Sequence, residues 1–183
     1  MYKNKTIIIE GPDNSGKSSL IRNLKNKLNN EVFITLTFAN VKQQSPEEHI
    51  RYSKELYDNM FKICRFQTEI IGNSIIVDRS HIGEMVYSPM YRNYSGEYVL
   101  DIENNYDVDN FYLIVLTDKA ENLISRDDGL SHSTDIDKKN EELELFRQAF
   151  KKSNIKNKYM MNIEGHNEIE VLNKILDYIT YKE

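Results

Sequence analysis

The stretch TIIIEGPDNSGKSSL, Thr6 to Leu20, decides the fold of this chain. An apolar β-type run at its start leads into a loop that ends Gly16-Lys17-Ser18, and a helix-forming segment follows directly. In the pattern GxxxxGK[ST] the glycines let the backbone N–H groups turn inward, so that a polyphosphate sits on them and on the helix N-terminus. The strand before and the helix after argue against an ordinary turn. The sequence therefore predicts a site for a nucleoside triphosphate.

Each part of this loop has a defined task in such a site. The ammonium of Lys17 reaches the β- and γ-phosphates, and the hydroxyl of Ser18 is a ligand of Mg²⁺. We therefore predict a nucleoside triphosphate with Mg²⁺ at this loop. The residues expected to bind it in this segment, as ATP in the reaction implied below, are Gly11, Pro12, Asp13, Asn14, Ser15, Gly16, Lys17, Ser18 and Ser19.

The composition sets limits on the class of protein. At 183 residues the chain fits one domain, 1–183, and a net charge of −5 without long blocks of like charge makes a polynucleotide an unlikely partner. The lone cysteine, Cys64, lies among apolar residues and is expected to be packed. The first strand begins within about six residues, and no apolar run reaches the ~20 residues of a membrane span, so we expect neither a signal peptide nor a membrane partner. A cytoplasmic location is the resulting expectation.

Strand-like and helix-like segments alternate along the rest of the chain. The run Phe111 to Leu116 is continuously apolar, which is typical of a parallel sheet covered on both faces. Such an alternation predicts a three-layer α/β domain with a mostly parallel, five-stranded sheet. Besides the first strand, strands are expected at 31–38, 74–77, 111–116 and 158–163, and helices at 45–72, from 81, from 118, from about 135 and at 168–178.

Two other classes with a phosphate-binding loop fit the sequence less well. A GTPase reads guanine with Asn-Lys-x-Asp after a late strand, and the corresponding segment 116–120 is Leu-Thr-Asp-Lys-Ala. A motor ATPase ends a strand in acids placed for Mg²⁺ and water. Here Asp78 is followed at once by Arg79. Since ligands bind at the carboxyl ends of strands in open α/β sheets, this pair indicates a second substrate site.

Four segments together resemble thymidylate kinases. Glu10 to Ser18 is similar to that family's Glu-Gly-x-Asp-Gly-x-Gly-Lys-Ser/Thr pattern. Asp78-Arg79 with Tyr87 downstream resembles its Asp-Arg-Tyr…Ala-Tyr-Gln segment, and Phe61 with Arg65 matches its Phe-x-x-x-Arg pair. The segment 161–165 is similar to its last strand end and adenine loop. The resemblance implies the nucleoside monophosphate kinase-like fold of P-loop proteins.

The same resemblance implies a reaction, the transfer of the ATP γ-phosphoryl group to a deoxypyrimidine monophosphate, either dTMP or a related dUMP derivative. Arg79 would clamp the acceptor phosphate, because a guanidinium binds phosphate bidentately, and Asp78 would orient Arg79 or the waters of Mg²⁺. The remaining implied contacts are Asp13 to the deoxyribose 3′-OH, Phe61 and Arg65 to the base, Tyr87 in the acceptor pocket, and Glu164 and Gly165 to ATP. Simpler readings remain open, with Phe61 in the core, Asp13 bonded within its own turn and Asp78-Arg79 as an ion pair.

The sequence departs from the family at several positions. Position 14 is Asn, so the loop does not supply the family's catalytic arginine, and a lid at about 126–138 must supply it. Arg126 is the predicted residue, with Asp127 and Asp128 as carboxylates that pair with it in an open state. Lys138 and Lys139 are weaker candidates for a lid cation. After the second strand, Phe38 and Lys42 are expected on the acceptor side. Gly83 stands where the family has Ser, and Ser88 stands where it has a glutamine that helps to read thymine.

Two alternatives and one assembly state complete the prediction. Related deoxynucleoside kinases carry Glu-Arg-Ser where this chain has Asp78-Arg79-Ser80, and in such an enzyme Asp78 would accept the proton of a nucleoside 5′-OH. A regulatory protein that binds a nucleotide without transferring phosphate is the second alternative. The resemblance also implies a homodimer.

Overall fold

A five-stranded parallel sheet forms the centre of the protein. The structure is a computed structural model that describes residues 4–28, 32–35 and 45–181. Neighbouring strands follow the order β2-β3-β1-β4-β5, and every pair is parallel, so β1 and the phosphate loop that follows it lie in the middle. The strands are β1 (Thr6–Glu10), β2 (Val32–Thr35), β3 (Ile75–Asp78), β4 (Phe111–Thr117) and β5 (Asn157–Asn162).

Helices cover both faces of this sheet. The helix α2 continues without a break into a π-helical segment, Phe66–Ile71, and ends at Gly72 with a left-handed φ of 82°. Its start is capped as the sequence predicts, because Ser45 and Glu48 exchange backbone and side-chain hydrogen bonds. The helices of the described residues are α1 (Lys17–Lys27), α2 (Pro46–Arg65), α3 (His81–Tyr91), α4 (Tyr98–Glu103), α5 (Ala120–Ser125), α6 (Ile136–Lys152) and α7 (Glu168–Tyr181).

Alternate residues of the central strands face different layers. Ile8 belongs to a core with residues of α2, α3, α4 and α6, whereas Ile7 and Ile9 belong to a core with residues of α1 and α7. Both cores are apolar, so each face of the sheet is shielded from water. The predicted three-layer α/β fold is therefore confirmed, and all five predicted strands are present. The part of the second predicted strand at 36–38 lies outside the described residues.

Two expectations from composition can be compared with the structure. Cys64 is fully buried in the core, and burial raises the pKa of its thiol to about 12, as suits a packing residue rather than a nucleophile. Within the described ranges, no helix combines the length and apolar character that crossing a membrane requires.

The parallel order brings two functional strand ends together. Ile9 of β1 pairs directly with Asp78 of β3, so the start of the phosphate loop and the Asp78-Arg79 turn leave the sheet side by side. On its other side, Glu10 pairs with Val115 of β4, whose carboxyl end leads toward α5 and the lid segment. The topology thus gathers the predicted site residues of three chain segments at one edge.

Candidate functional site

The phosphate loop leaves β1 through a glycine that the fold requires. Gly11 has φ of 138°, and a Cβ at this position would lie 2.3 Å from the carbonyl oxygen of Leu116. Gly16, with φ of 81°, is the N-cap residue of α1. The first N–H groups of α1 lack partners within the helix and carry its positive dipole end, which favours an anion at this point.

Lys17 is held inside the loop. Its side chain is buried, and Nζ donates hydrogen bonds to the carbonyl oxygens of Gly11 (2.8 Å) and Pro12 (2.6 Å). Burial, and after it the nearby guanidinium of Arg79, lower the pKa of Lys17 to about 8, against the opposing carboxylates of Asp13 and Glu10. The ammonium is therefore preplaced for a phosphate and begins to lose its proton just above neutral pH.

Arg79 reaches across from the end of β3. Its backbone has φ of 67°, an uncommon conformation for a residue with a long side chain, and its N–H donates to the carbonyl oxygen of Ile9 at 3.0 Å. The guanidinium Nη2 donates to Oδ1 of Asp13 at 2.9 Å. Although burial acts to raise the pKa of Asp13, Lys17 and Arg79 together hold it below its ordinary value.

This pairing differs from the predicted roles of both acids. The sequence analysis assigned the orientation of Arg79 to Asp78 and gave Asp13 a contact with the sugar. The structure pairs Arg79 with Asp13 instead, and the described residues include no hydrogen-bond partner for the Asp78 carboxylate. Asp78 lies close enough to the Lys17 ammonium to favour its charged form. Asp78 and Arg79 therefore do not form the ion pair of the simpler reading.

Glu10 is an organising residue that the sequence analysis did not single out. It is the last residue of β1, is buried, and its Oε1 accepts hydrogen bonds from the N–H and hydroxyl of Ser80 and from the N–H of Gly83. Burial raises the pKa of Glu10, against the lowering effect of these donors and of Lys17. Because Ser80 is the N-cap residue of α3, Glu10 fixes the start of α3 and the Arg79 turn relative to the phosphate loop.

Asn14 joins the phosphate loop to the lid segment, residues 126–138. Its Nδ2 lies 2.8 Å from Oγ of Ser131, 3.1 Å from the carbonyl oxygen of Leu123 and 3.3 Å from Oδ1 of Asp127. The sequence predicts Asn14 as an ATP-binding residue that stands in place of the family's catalytic arginine. The structure shows that this asparagine makes contacts of its own.

Arg126 lies at the beginning of the lid segment but pairs with an unexpected partner. Its Nη2 contacts Oδ2 of buried Asp118 at 2.6 Å, and its Nε donates to the carbonyl oxygen of Asn122 at 3.1 Å. The prediction that Asp127 and Asp128 pair with Arg126 is wrong for this conformation, because Asp127 turns toward Asn14. Arg126 stays partly exposed, so its remaining N–H groups face solvent.

Two adjoining cavities meet at the loop. The first, of about 470 Å³, carries the basic groups Lys17, Arg79, Arg126 and His132. The second, of about 190 Å³, has the apolar side chains of Leu20, Leu116, Ile163 and Val171 in a lining that also includes polar residues. Asn14, Gly16, Ser19 and Arg126 line both. The first, termed the phosphate cavity below, is also lined by Asp13, Ser18, Asp128, Leu130 and Ser131, and the second, the apolar cavity, by Ser15, Leu20, Leu116, Ile163, His166, Glu168 and Val171.

The predicted ATP-binding residues Glu164 and Gly165 lie beside the apolar cavity but do not line it. Glu164 forms an ion pair with Lys119 at 2.6 Å, and neither Glu164 nor Gly165 lines the apolar cavity. The flanking residues Ile163 and His166 line it instead. Gly165 has φ of 74°, so it provides the turn that places its neighbours there.

Phe61 and Arg65 do not come together as a base pocket in this structure. Phe61 is fully buried, stacked on Tyr106 at a ring distance of 5.2 Å, and packed against Phe111 and His81. The prediction that it stacks on a base is wrong for this conformation, and the alternative reading as a core residue is confirmed. Arg65 lies on the surface in an ion pair with Glu69 at 2.7 Å.

Tyr87 borders the site through a buried polar cluster. Its hydroxyl donates to Oε1 of Glu142 at 2.7 Å, and Oε2 of Glu142 accepts from Nζ of Lys139 at 2.7 Å. Lys139 is 1% exposed and faces away from solvent, so it does not serve as a lid cation here. His132 of the lid segment is exposed, and its ring stacks on Tyr91 with a centroid distance of 4.9 Å. Lys138 is exposed.

The described residues suit a magnesium ion that arrives with a nucleotide. They contain no group of three His, Cys, Asp or Glu side chains placed to hold a metal. Mg²⁺ bound to a triphosphate needs only one or two protein oxygens, since water and phosphate oxygens supply the rest. The exposed Ser18, in the first turn of α1, provides a hydroxyl, and the half-buried Asp78, at the end of β3, provides a carboxylate. The predicted acceptor residues Phe38 and Lys42 lie outside the described residues.

This geometry defines a protein class, a phosphate-binding-loop α/β protein. A family model described as an AAA domain matches residues 6–164, which include all five strands and the site. The chain therefore belongs to this AAA domain family. No curated protein matches the sequence.

Several solved structures share the fold at low sequence identity. YorR from Bacillus subtilis, in complex with phosphorylated GDP, is 19% identical, with a TM-score of 0.70 over 97% of each chain. Thymidylate kinase from Candida albicans is 16% identical, with a TM-score of 0.61 over 97% of this chain and 92% of that one. Deoxyadenosine kinase from M. mycoides with bound dATP is 17% identical, with a TM-score of 0.57 over 94% and 97%. The predicted thymidylate kinase-like fold is thus confirmed.

Proposed function

We propose that this protein is a nucleotide kinase that transfers the γ-phosphoryl group of ATP to a deoxypyrimidine monophosphate, either dTMP or a related dUMP derivative. The observation that carries the proposal is the convergence of Lys17, Arg79 and Arg126 on one phosphate cavity. Phosphoryl transfer between two anions needs cations and donors more than a general base. Three basic side chains from three chain segments suit a donor triphosphate and an acceptor phosphate held together.

On the donor side, the chain offers separate surfaces for phosphates and base. Lys17 and the loop N–H groups hold the β- and γ-phosphates, and Arg126 lies between the phosphate cavity and the apolar cavity. The apolar cavity, lined by Leu116, Ile163 and Val171, suits the adenine ring. When bound, Mg²⁺ neutralises developing charge on the phosphates, and Ser18 and Asp78 would hold it.

On the acceptor side, Arg79 is the residue that favours a monophosphate over a nucleoside. Its guanidinium has five N–H donors, and the pair with Asp13 leaves others for a second anion. A neutral nucleoside would bring no second anion to this cation, which already pairs with Asp13 and depresses the pKa of Lys17. Tyr87 would border the acceptor, and Arg65 would reach its base only after leaving Glu69.

A deoxynucleoside kinase is the second candidate. The chain shares its fold with the deoxyadenosine kinase from M. mycoides, and the Asp78 carboxylate lies at a strand end without a hydrogen-bond partner among the described residues. In that reading Asp78 accepts the proton of the 5′-OH as the oxygen attacks the γ-phosphorus. Supplying nucleosides and monophosphates in parallel separates the two, since turnover of nucleosides alone would replace the first proposal.

A comparison of turnover between wild type and Lys17→Ala tests the remaining alternative, a nucleotide-binding regulatory protein without transfer activity. If the measured turnover belongs to this site, Lys17→Ala abolishes it, because the β- and γ-phosphates lose their ammonium partner. Tight ATP binding with no acceptor used from a full nucleotide panel would instead support the regulatory reading.

We also propose a homodimer in a reducing compartment such as the cytoplasm. Tyr52, Ile63, Phe66 and Ile70 leave a large part of their apolar surface exposed along α2 and its π-helical extension. An apolar stripe of this kind typically marks a contact with another protein surface. A second copy of the chain presents the same stripe and can pair with it through two-fold symmetry. The buried free thiol of Cys64 suits a reducing environment.

A further inference from the structure

We propose that Asn14 is a positioning residue, which ties the phosphate loop to the lid segment and thereby holds Arg126 at the junction of the two cavities. The effect on catalysis rests on the proposed kinase function, whereas the tie itself does not. The three acceptors within reach of its amide lie on both sides of Arg126, since Leu123 precedes it and Asp127 and Ser131 follow it.

The chemistry of these contacts requires a donor at position 14. A side-chain amide has two N–H hydrogens, and Ser131, at 2.8 Å, is the nearest of the three acceptors. The carbonyl oxygen of Leu123 lies in the last turn of α5, where helix carbonyls lack intrahelical partners. The Asp127 carboxylate is an anion, and the contacts to Ser131 and Asn14 hold its pKa below the ordinary value. An aspartate side chain has no N–H to donate and a glycine has no side chain, so neither residue at position 14 would satisfy these acceptors.

The backbone at this position also suits asparagine. Asn14 has φ of 66°, in the left-handed region that asparagine and glycine tolerate far better than most residues. Glycine would therefore keep the loop conformation and remove only the amide. This makes Asn14→Gly a clean test of the side chain.

The guanidinium of Arg126 is fixed by the α5 side of the same unit. Asp118, whose side chain is 2% exposed, accepts from Nη2, while the carbonyl oxygen of Asn122 accepts from Nε. Asn14 thus holds the turn that carries Arg126, and Asp118 holds its head group. Both Asn14 and Arg126 line the phosphate cavity and the apolar cavity. A shift of this turn would therefore move the Arg126 guanidinium relative to the phosphates and the base of a bound nucleotide.

Hydrogen exchange tests the tie without reference to activity. In Asn14→Gly we expect the backbone amides of 123–131 to exchange on the order of tenfold faster than in wild type, the effect of losing hydrogen bonds to the lid. Asn93→Gly is the matched control, because Asn93 is an exposed asparagine with φ of 56° outside both cavities, and it should leave these amides unchanged. Unchanged exchange at 123–131 in Asn14→Gly would overturn the proposal.

A charge swap supplies the second arm. Asn14→Asp should loosen the lid more than Asn14→Gly, because two carboxylates would then face each other. The double variant N14D/D127N should exchange more slowly than Asn14→Asp but faster than wild type, because it reverses donor and acceptor at the residue-127 contact and leaves the Leu123 carbonyl without a donor. In turnover assays, Asn14→Gly should lower kcat about tenfold with a nearly unchanged KM for ATP. A rise in kcat would show that Asn14 restrains the lid and overturn the positioning role. If the wild-type protein phosphorylates no nucleotide or nucleoside, the kinase proposal is wrong. Hydrogen exchange then still decides whether Asn14 ties the phosphate loop to the lid segment.

Discussion

The guanidinium of Arg79 lies 2.9 Å from the carboxylate of Asp13, and this contact joins the end of β3 to the phosphate loop. Asp13 is mostly buried, while Arg79 keeps nearly half of its side chain exposed. The Asp13 carboxylate therefore fixes the position of the Arg79 guanidinium without covering it. The left-handed backbone at Arg79 points the side chain over the loop. A second cation is thereby held beside Lys17, where the proposed function requires the acceptor phosphate.

Loss of Glu10 should destabilise the fold through the start of α3. Glu10→Ala leaves the buried N–H groups of Ser80 and Gly83 without their acceptor, and we expect the free energy of unfolding to fall by about 2–4 kcal/mol in urea denaturation. Glu10→Gln keeps one oxygen acceptor and is the matched control, with a smaller loss. Equal losses in the two variants would mean that side-chain volume, not hydrogen bonding, holds this junction.

The affinity of the free protein for ATP should decrease as the pH rises through about 8. The pKa of Lys17 is lowered to about 8, and only the protonated ammonium attracts phosphate, so the site loses this charge above that pH. The stability of the ligand-free protein changes in the opposite sense. Because the unfolded chain keeps its proton up to the higher, ordinary lysine pKa, the contribution of Lys17 to stability increases with pH above about 8.

Calorimetric titration of ATP at several pH values across this range checks the prediction. Lys17→Arg is the control, because an arginine stays protonated throughout and should remove the step near pH 8. A pH-independent affinity in wild type would show that Lys17 is not the titrating group.

Arg126→Ala should lower kcat by about 100-fold or more and leave the affinity for ATP nearly intact, since a lid arginine acts mainly on charge that develops during transfer. Arg147→Ala serves as the matched control, because Arg147 is similarly exposed on α6 and lines neither the phosphate cavity nor the apolar cavity. Steady-state kinetics with ATP binding measured separately distinguishes the two effects. An unchanged kcat removes Arg126 from the mechanism.

Ile70→Glu should convert the proposed homodimer to a monomer, because a charge would replace an apolar side chain that is 70% exposed in the single chain. Ile169→Glu is the control, since Ile169 is 68% exposed on α7 and lies off the proposed stripe. Sedimentation velocity gives the mass of each species. A wild-type monomer at micromolar concentration would contradict the assembly.

The sequence predicts the fold because its signals are local and agree with one another. The apolar runs of β1, β3 and β4, the Ser45 cap and the glycines of the phosphate loop each act within a few residues, and alternation of strands with helices then leaves few topologies. The same local signals place Lys17 at the start of a helix and Asp78 and Arg79 at a strand end, where the structure has them.

The ion-pair partners of the site arginines could not be predicted, because the tertiary fold and not proximity in the sequence decides which carboxylate each guanidinium meets. Arg79 pairs with Asp13 and not with its neighbour Asp78, and Arg126 pairs with Asp118 and not with its neighbour Asp127. Adjacent residues in a sequence often point in different directions, so proximity along the chain is a poor guide to ion pairs. Phe61 shows a second limit, because a helical position four residues from Arg65 does not reveal how deeply the ring is buried.

The most direct test of the proposed function follows the label from γ-labelled ATP with dTMP as acceptor and Mg²⁺ present. We predict that the wild-type protein places the label on the β-phosphate of a diphosphate product, and that Arg79→Gln loses most of this transfer while still binding ATP. Transfer to the 5′-oxygen of thymidine with none to dTMP, or equal transfer to dTMP by wild type and Arg79→Gln, would contradict the account.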